Sequence, residues 1–207
     1  MIMTNHIYKT LILAPLVAFS LLFSSCDDNN GQMDTKTIAE NRNNKKFDMD
    51  KKEKDAQFLV NAAEIHLKHI HLGQLAQRKG KSKHVKELSK KLELEHTQSL
   101  TDLAAFARDK NISIPSLPTD NSTDAYLNLN DKTGNNFDKA YSDMMVKGHK
   151  DAIETFEEAT NDCTDEDIRR WAIISLPHLR KHLDHSILSQ KEFDDMYFAN
   201  QNQYKIQ

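Results

Sequence analysis

Residues 92–100 read Leu92-Glu93-Leu94-Glu95-His96-Thr97-Gln98-Ser99-Leu100, and the fold turns on them. At 3.6 residues per turn, Val85, Leu88, Leu92, His96, Leu103 and Ala107 stack on one face, which predicts an amphipathic helix. His96 falls inside the apolar stripe rather than on its edge. A buried polar group without a partner costs about 1–3 kcal/mol, so this ring must meet polar groups supplied by other segments.

Upstream, Gly80-Lys81-Ser82 reads as a tight turn, with Gly80 ending one helix and Ser82 capping the next. The helix before it spans about Asp55 to Lys79, with Asp55 as its expected cap. Phe58, Ala62, Ile65, His69, Leu72, Gly73 and Ala76 form its face. So short a turn makes the two helices antiparallel neighbours. Downstream of the helix that ends near Lys110, Asn111 to Thr119 holds Pro115 and Pro118 and reads as an extended connection. A short helix is expected from Asn121 to Asp131, capped by Ser122 or Thr123, with Tyr126, Leu127 and Leu129 as its apolar contacts. A third long helix runs from about Asn135 to Ala159 on a stripe of Phe137, Tyr141, Met144, Met145, Gly148, Ala152 and Phe156. His149 and Asp138 lie on its flank. After a turn at Asn161–Thr164, a fourth runs from about Asp165 to Phe198 and faces inward with Ile168, Ala172, Ser175, Leu179, Leu183, Ser186 and Gln190. His182 sits just inside one edge of that face, and His178 lies further out. Pro177 is internal and is expected to kink the helix. Four amphipathic helices, two short turns and one long crossover between the second and third main helices predict an all-α, antiparallel four-helix bundle over residues 53–198, with a polar tail at 199–207.

The N-terminal part has a different character. Residues 1–25 read as a lipoprotein signal peptide. Lys9 is their one Lys or Arg, and the apolar run Leu11–Phe23 is too short to span a bilayer. Leu22-Phe23-Ser24-Ser25-Cys26 resembles a bacterial lipobox, which predicts lipidation of Cys26 and membrane attachment through its acyl chains. Asp27-Asp28 points towards the outer membrane of the cell envelope, with the domain facing the periplasm or the cell surface. Residues 26–52 are polar and read as a disordered tether. With Cys26 lipidated, Cys163 stands alone, so no internal disulfide is expected. A net charge of −3 gives no basic field for nucleic acid. The sequence identifies no protein partner and no oligomeric state.

The ten histidines are the chemical feature of the chain. His69, His96, His149 and His182 each lie on or beside the buried stripe of a different helix. The first three lie about 14 residues from their helix starts, roughly 20 Å at 1.5 Å per residue, and His178 and His182 bracket that level. Antiparallel helices of similar length bring such positions to one midplane. Glu93, three residues before His96, lies on the same face as that ring, and Glu95 and Asp138 are further carboxylate candidates. Inward His and Glu at this spacing suit a transition metal: zinc, copper, iron or manganese, with carboxylates favouring the last two. The competing reading is a metal-free network in which the rings bond each other, Tyr141, Asp138 or water. His66, His71, His84 and His185 fall on polar faces or edges and read as solvated. Met144-Met145 reads as core, and Cys163, beside Asp162 and Asp165, as inert. There is no glycine-rich phosphate loop, Cys-x-x-Cys or nucleophile elbow, and no catalytic residue is assigned.

Several short pieces share a family likeness: Asp55-Ala56-Gln57-Phe58-Leu59, Leu72-Gly73-Gln74-Leu75-Ala76, Glu95-His96-Thr97, Phe137-Asp138-Lys139-Ala140-Tyr141 with His149, and Leu176-Pro177-His178-Leu179 with His182. On these the chain resembles domain-of-unknown-function family 4142, bacterial envelope proteins, which implies a ferritin-like bundle. Members of that family commonly carry Glu in the first long helix where this chain has His69, so the resemblance implies a more nitrogen-rich site here. The four Glu and two Glu-x-x-His motifs of true ferritins are not met; only Glu93-x-x-His96 occurs. The expected function is that of a membrane-anchored envelope lipoprotein whose bundle binds a transition metal at a His-rich midplane, for metal handling or stress protection. The alternative is a non-catalytic, metal-free interaction or structural module of the envelope. A di-metal oxidase or peroxidase is a third reading, and the scarcity of inward carboxylates counts against it.

Overall fold

The structure, a computed structural model, describes residues 33–47 and 50–204. The proposed signal peptide and Cys26 lie outside them. The described residues form helices and no strands: α1 (Thr35–Asn44), α2 (Asp50–Lys79), α3 (Lys83–Asp109), α4 (Asp120–Asn130), α5 (Gly134–Asp162) and α6 (Glu166–Tyr204). The long helices pair as two hairpins, α2 with α3 and α5 with α6, which meet through α2 and α5 and more sparsely through α3 and α6. Short α4 lies in the crossover and packs on α2.

Each hairpin is tied by a buried aspartate from the other. Asp138 of α5 accepts from the Lys81 and Ser82 amides, at 2.8 and 2.6 Å, and so holds the α2–α3 turn. Asp55 of α2 accepts from the Thr164 and Asp165 amides, at 2.7 and 2.9 Å, and from the Thr164 hydroxyl, and so holds the α5–α6 turn. Asp55 therefore does not cap its own helix, which starts a turn earlier than expected. Ser82 caps α3 as expected, its hydroxyl accepting from the Val85 amide. Gly80 is not in the left-handed region; among the described residues that conformation falls to Asn111, just after α3, and to Gly134, where α5 begins, both at φ 57°. Glycine is needed at 80 for space, since a Cβ there would lie 2.6 Å from the Ala76 carbonyl oxygen and 2.9 Å from Val85. The cap of α4 is Thr119, one turn before the residues expected, and its hydroxyl accepts from the Ser122 amide. Pro177 does not end α6. It is exposed beside the exposed Ile173, so water can take the carbonyl it frees.

Two expectations fail at the ends of the domain. The stretch read as a disordered tether contains α1, and α2 begins inside it at Asp50. Polar bonds rather than apolar burial hold α1 in place. Lys36 pairs with Glu64 at 2.6 Å, and the Asn43 amide bonds the Ser113 backbone in both directions. Glu64 also accepts from the Thr119 hydroxyl, so one buried carboxylate joins α1, α2 and the cap of α4. At the other end α6 runs to Tyr204, through most of the stretch read as a tail.

The core is divided along the bundle. One apolar cluster contains Phe58, Leu59, Leu103, Phe156, Ile168 and Leu179. The other contains Leu72, Leu75, Leu92, Phe137, Tyr141 and Met145. Met145 is fully buried, as the core reading of the methionine pair requires. Between the two clusters, on every long helix, lies a layer of histidine.

Candidate metal centre

His69, His96 and His149 are at most 1% exposed and His182 is 3% exposed. His96 is central. Its ring stacks on His69 at 4.5 Å between centroids and 12° between planes, and lies 4.9 Å from His182 and 5.4 Å from His149. A fifth ring joins them. His66, read as solvated, is 4% exposed, and its Nδ1 lies 2.9 Å from Nδ1 of His96. The sequence carried a signal for it. Phe58, Leu59, Val60, Ala62 and Ala63 are a nearly unbroken apolar run, which marks a helix buried on most sides. With α1, α3, α4 and α5 all packed on α2, a single-stripe reading underestimates burial there. The other three rings stay outside: His71 stacks on Tyr126, His84 pairs with Glu192, and His185 lies beside Lys91.

The hydrogen bonds fix which nitrogens carry lone pairs. His69 Nδ1–H donates to the Ile65 carbonyl at 2.8 Å and His149 Nδ1–H to the Met145 carbonyl at 2.7 Å, one turn back on each helix. Each ring therefore presents an unprotonated Nε2. Metal-binding histidines are oriented in this way, with the second N–H held by a carbonyl or carboxylate. His182 Nε2–H donates to Glu95 at 2.5 Å, which leaves its Nδ1 as the lone-pair atom. Three buried ring nitrogens of the cluster have no partner: His66 Nε2, His69 Nε2 and His182 Nδ1; outside it, the same holds for His185 Nδ1. Gly148 makes room for this arrangement, since a Cβ there would lie 2.9 Å from His69 Nε2.

His96 Nε2 and His149 Nε2 are 3.2 Å apart. Two nitrogens bound to one tetrahedral ion at 2.0–2.1 Å would be separated by about 3.3 Å. His69, His96 and His149 together offer three ligand atoms within 4.8 Å of one another. The same 3.2 Å also suits a hydrogen bond, so without a metal the rings form a chain. His66 Nδ1–H would donate to His96, and His96 Nε2–H to His149. With a metal on His96 Nε2 that ring must carry its proton on Nδ1 and donate to His66 instead.

All five rings are neutral near pH 7. Desolvation, then His182 and His149, lowers His66 to about 3. Desolvation lowers His149 to about 4, against the hydrogen bond to Met145, and holds His69 and His96 well below the ordinary value. Burial also lowers His182, outweighing the Glu95 carboxylate. Burial alone would raise Glu95, but its hydrogen bond and electrostatic attraction to His182, and then Lys91 and Lys181, hold it below the usual carboxylate range. Neutral imidazoles are the form that binds metal.

Two of the three carboxylate candidates belong elsewhere. Glu93 accepts from Gln74 and Gln77 on the α2 side, and Asp138 holds the α2–α3 turn. Glu95 reaches the site through His182 rather than directly. His178 is exposed and lines the mouth of an adjoining cleft. The Tyr141 hydroxyl bonds none of the rings; it is buried without a partner, and burial raises its pKa. Cys163 is buried at the far end of the bundle, where burial and then the Asp55 carboxylate push its thiol up to about 12.

The chain belongs to the family described as "Domain of unknown function (DUF4142)", whose model matches residues 40–187. No curated protein matches it. A solved structure described as "CopM in the Cu(I)-bound form" is similar over 72% of this chain and 97% of its own, with 15% sequence identity and a TM-score of 0.48.

Proposed function

We propose that this member of the family binds one transition-metal ion between His69, His96 and His149, and that it handles such ions in the cell envelope. The carrying observation is the convergence of three buried ligand atoms, two of them on rings whose other nitrogen is held by a backbone carbonyl. An all-imidazole set favours copper or zinc, and iron after them. With Glu93 and Asp138 engaged elsewhere, manganese and a di-metal oxidase lose their support. The metal-free network remains the rival reading, because hydrogen bonds satisfy both nitrogens of His96. Against it stands His69 Nε2, a buried nitrogen of the proposed ligand set left without a partner, at a cost of about 1–3 kcal/mol.

Zinc and copper content after equilibrium dialysis separates the two readings. Metal binding predicts one equivalent per chain and a raised melting temperature. The metal-free module predicts neither. Envelope anchoring through Cys26 rests on the lipobox-like sequence alone. No described helix is long and apolar enough to cross a membrane. Anchoring predicts that Cys26→Ala moves the protein from the membrane fraction to the soluble one; retention in the membrane would count against it.

A further inference from the structure

The rings of the cluster are not equally accessible. A cleft of about 470 Å³ between α3 and α6 is lined by His66, His96 and His182, but not by His69 or His149. Its polar wall includes Glu95, Asp102 and His178, with one cation, Lys181, among them. These are donors that suit a partly hydrated cation. His182 lies where the cleft meets the cluster, with its Nδ1 buried and unpartnered and its Nε2 held by Glu95. A carboxylate that holds one nitrogen of a histidine orients the other for a metal.

We propose that a transition-metal cation reaches the buried triad through this cleft and is taken first by His182 Nδ1, before passing to His69, His96 and His149. The proposal rests on the metal-binding reading and adds a route to it. At capture His182 Nδ1 replaces one bound water; on transfer the His182 bond and further waters are replaced by the three triad nitrogens, with the water leaving through the cleft and no change of oxidation state. The His182 ring, 4.9 Å from His96 and 5.4 Å from His149, adjoins both of these ligands. His178 and Asp102 would form the outer approach.

The test follows zinc transfer from a colorimetric chelator into the metal-free protein by stopped flow, with equilibrium uptake measured alongside. His182→Gln removes the first ligand. Ser99→Trp obstructs the cleft from a half-buried position on α3 without touching a ligand. Both variants should load about tenfold more slowly or worse, yet bind one equivalent at equilibrium. His69→Ala should lose equilibrium uptake. Unchanged loading in either cleft variant, or loss of equilibrium uptake in His182→Gln, would overturn the proposed route. A wild-type protein that takes up no metal would instead sink the binding reading itself.

Discussion

Phe156 and His149 lie two turns apart on α5, both fully buried, in layers of opposite chemistry. Around Phe156, the rings of Phe58 and Trp171 pack edge-on or tilted at 5.1 and 5.4 Å, and none of the three leaves a buried polar atom without a partner. Around His149, four more imidazoles stand at the same depth, and three ring nitrogens of this layer have no partner. The apolar layer accounts for why the bundle holds together. The histidine layer contributes little that a leucine layer would not improve, and leaves unpaired groups in a low-dielectric interior. The difference separates stability from function along one helix, and it can be tested one residue at a time.

The largest effect on stability belongs to the apolar layer. Phe156→Ala should lower the unfolding free energy by about 3–5 kcal/mol in urea titrations while metal stoichiometry stays at one. If stoichiometry fell with stability, the two layers would not be separable. His96→Leu should do the reverse, removing metal uptake while costing the metal-free protein less, about 1–3 kcal/mol for the His66 and His149 nitrogens it leaves unpaired. Metal uptake that survives in that variant would contradict the ligand role of His96.

Asp55→Ala and Asp138→Ala should each cost about 1–3 kcal/mol, because each leaves backbone amides of a turn without an acceptor. Neither should alter metal affinity, and a selective loss of affinity in Asp138→Ala would return that carboxylate to the site. Gly148→Ala is a finer probe. The exchange favours the helix by up to about 1 kcal/mol, but its Cβ would press on His69 Nε2 at 2.9 Å. Affinity should fall about tenfold with little change in melting temperature. The pH dependence of stability tests the burial of the rings themselves. His66 and His149 titrate at about 3 and about 4 in the folded protein, against 6.5 when unfolded, so the unfolded chain gains protons first. Stability of the metal-free protein from this layer should be full above pH 6.5 and decline as pH falls towards 4 and then 3. A denaturant midpoint that does not fall between pH 6.5 and 4 would contradict the burial of these rings.

Periodicity made the four long helices legible, and it located four of the five clustered histidines by depth alone. It failed where burial was not one-sided. His66 was hidden because α2 has neighbours on nearly every side, so its apparent polar edge faces protein. The α1 segment was hidden because side-chain and backbone hydrogen bonds hold it, and these leave no repeating apolar signature. Asp55 and Asp138 were recognisable as notable residues but not as reciprocal ties, since that role depends on how the two hairpins meet. Glu93 shows the converse error. Its spacing to His96 is right for a ligand, yet glutamines on α2 take its carboxylate.

The most direct test of the central claim is metal content after dialysis of the wild-type protein and the His69→Ala/His96→Leu double variant against zinc and, anaerobically, copper(I). One equivalent in the wild type and none in the double variant, with a rise in melting temperature confined to the wild type, is the predicted result. Equal metal content in both proteins, or none in either with unchanged melting, would contradict it.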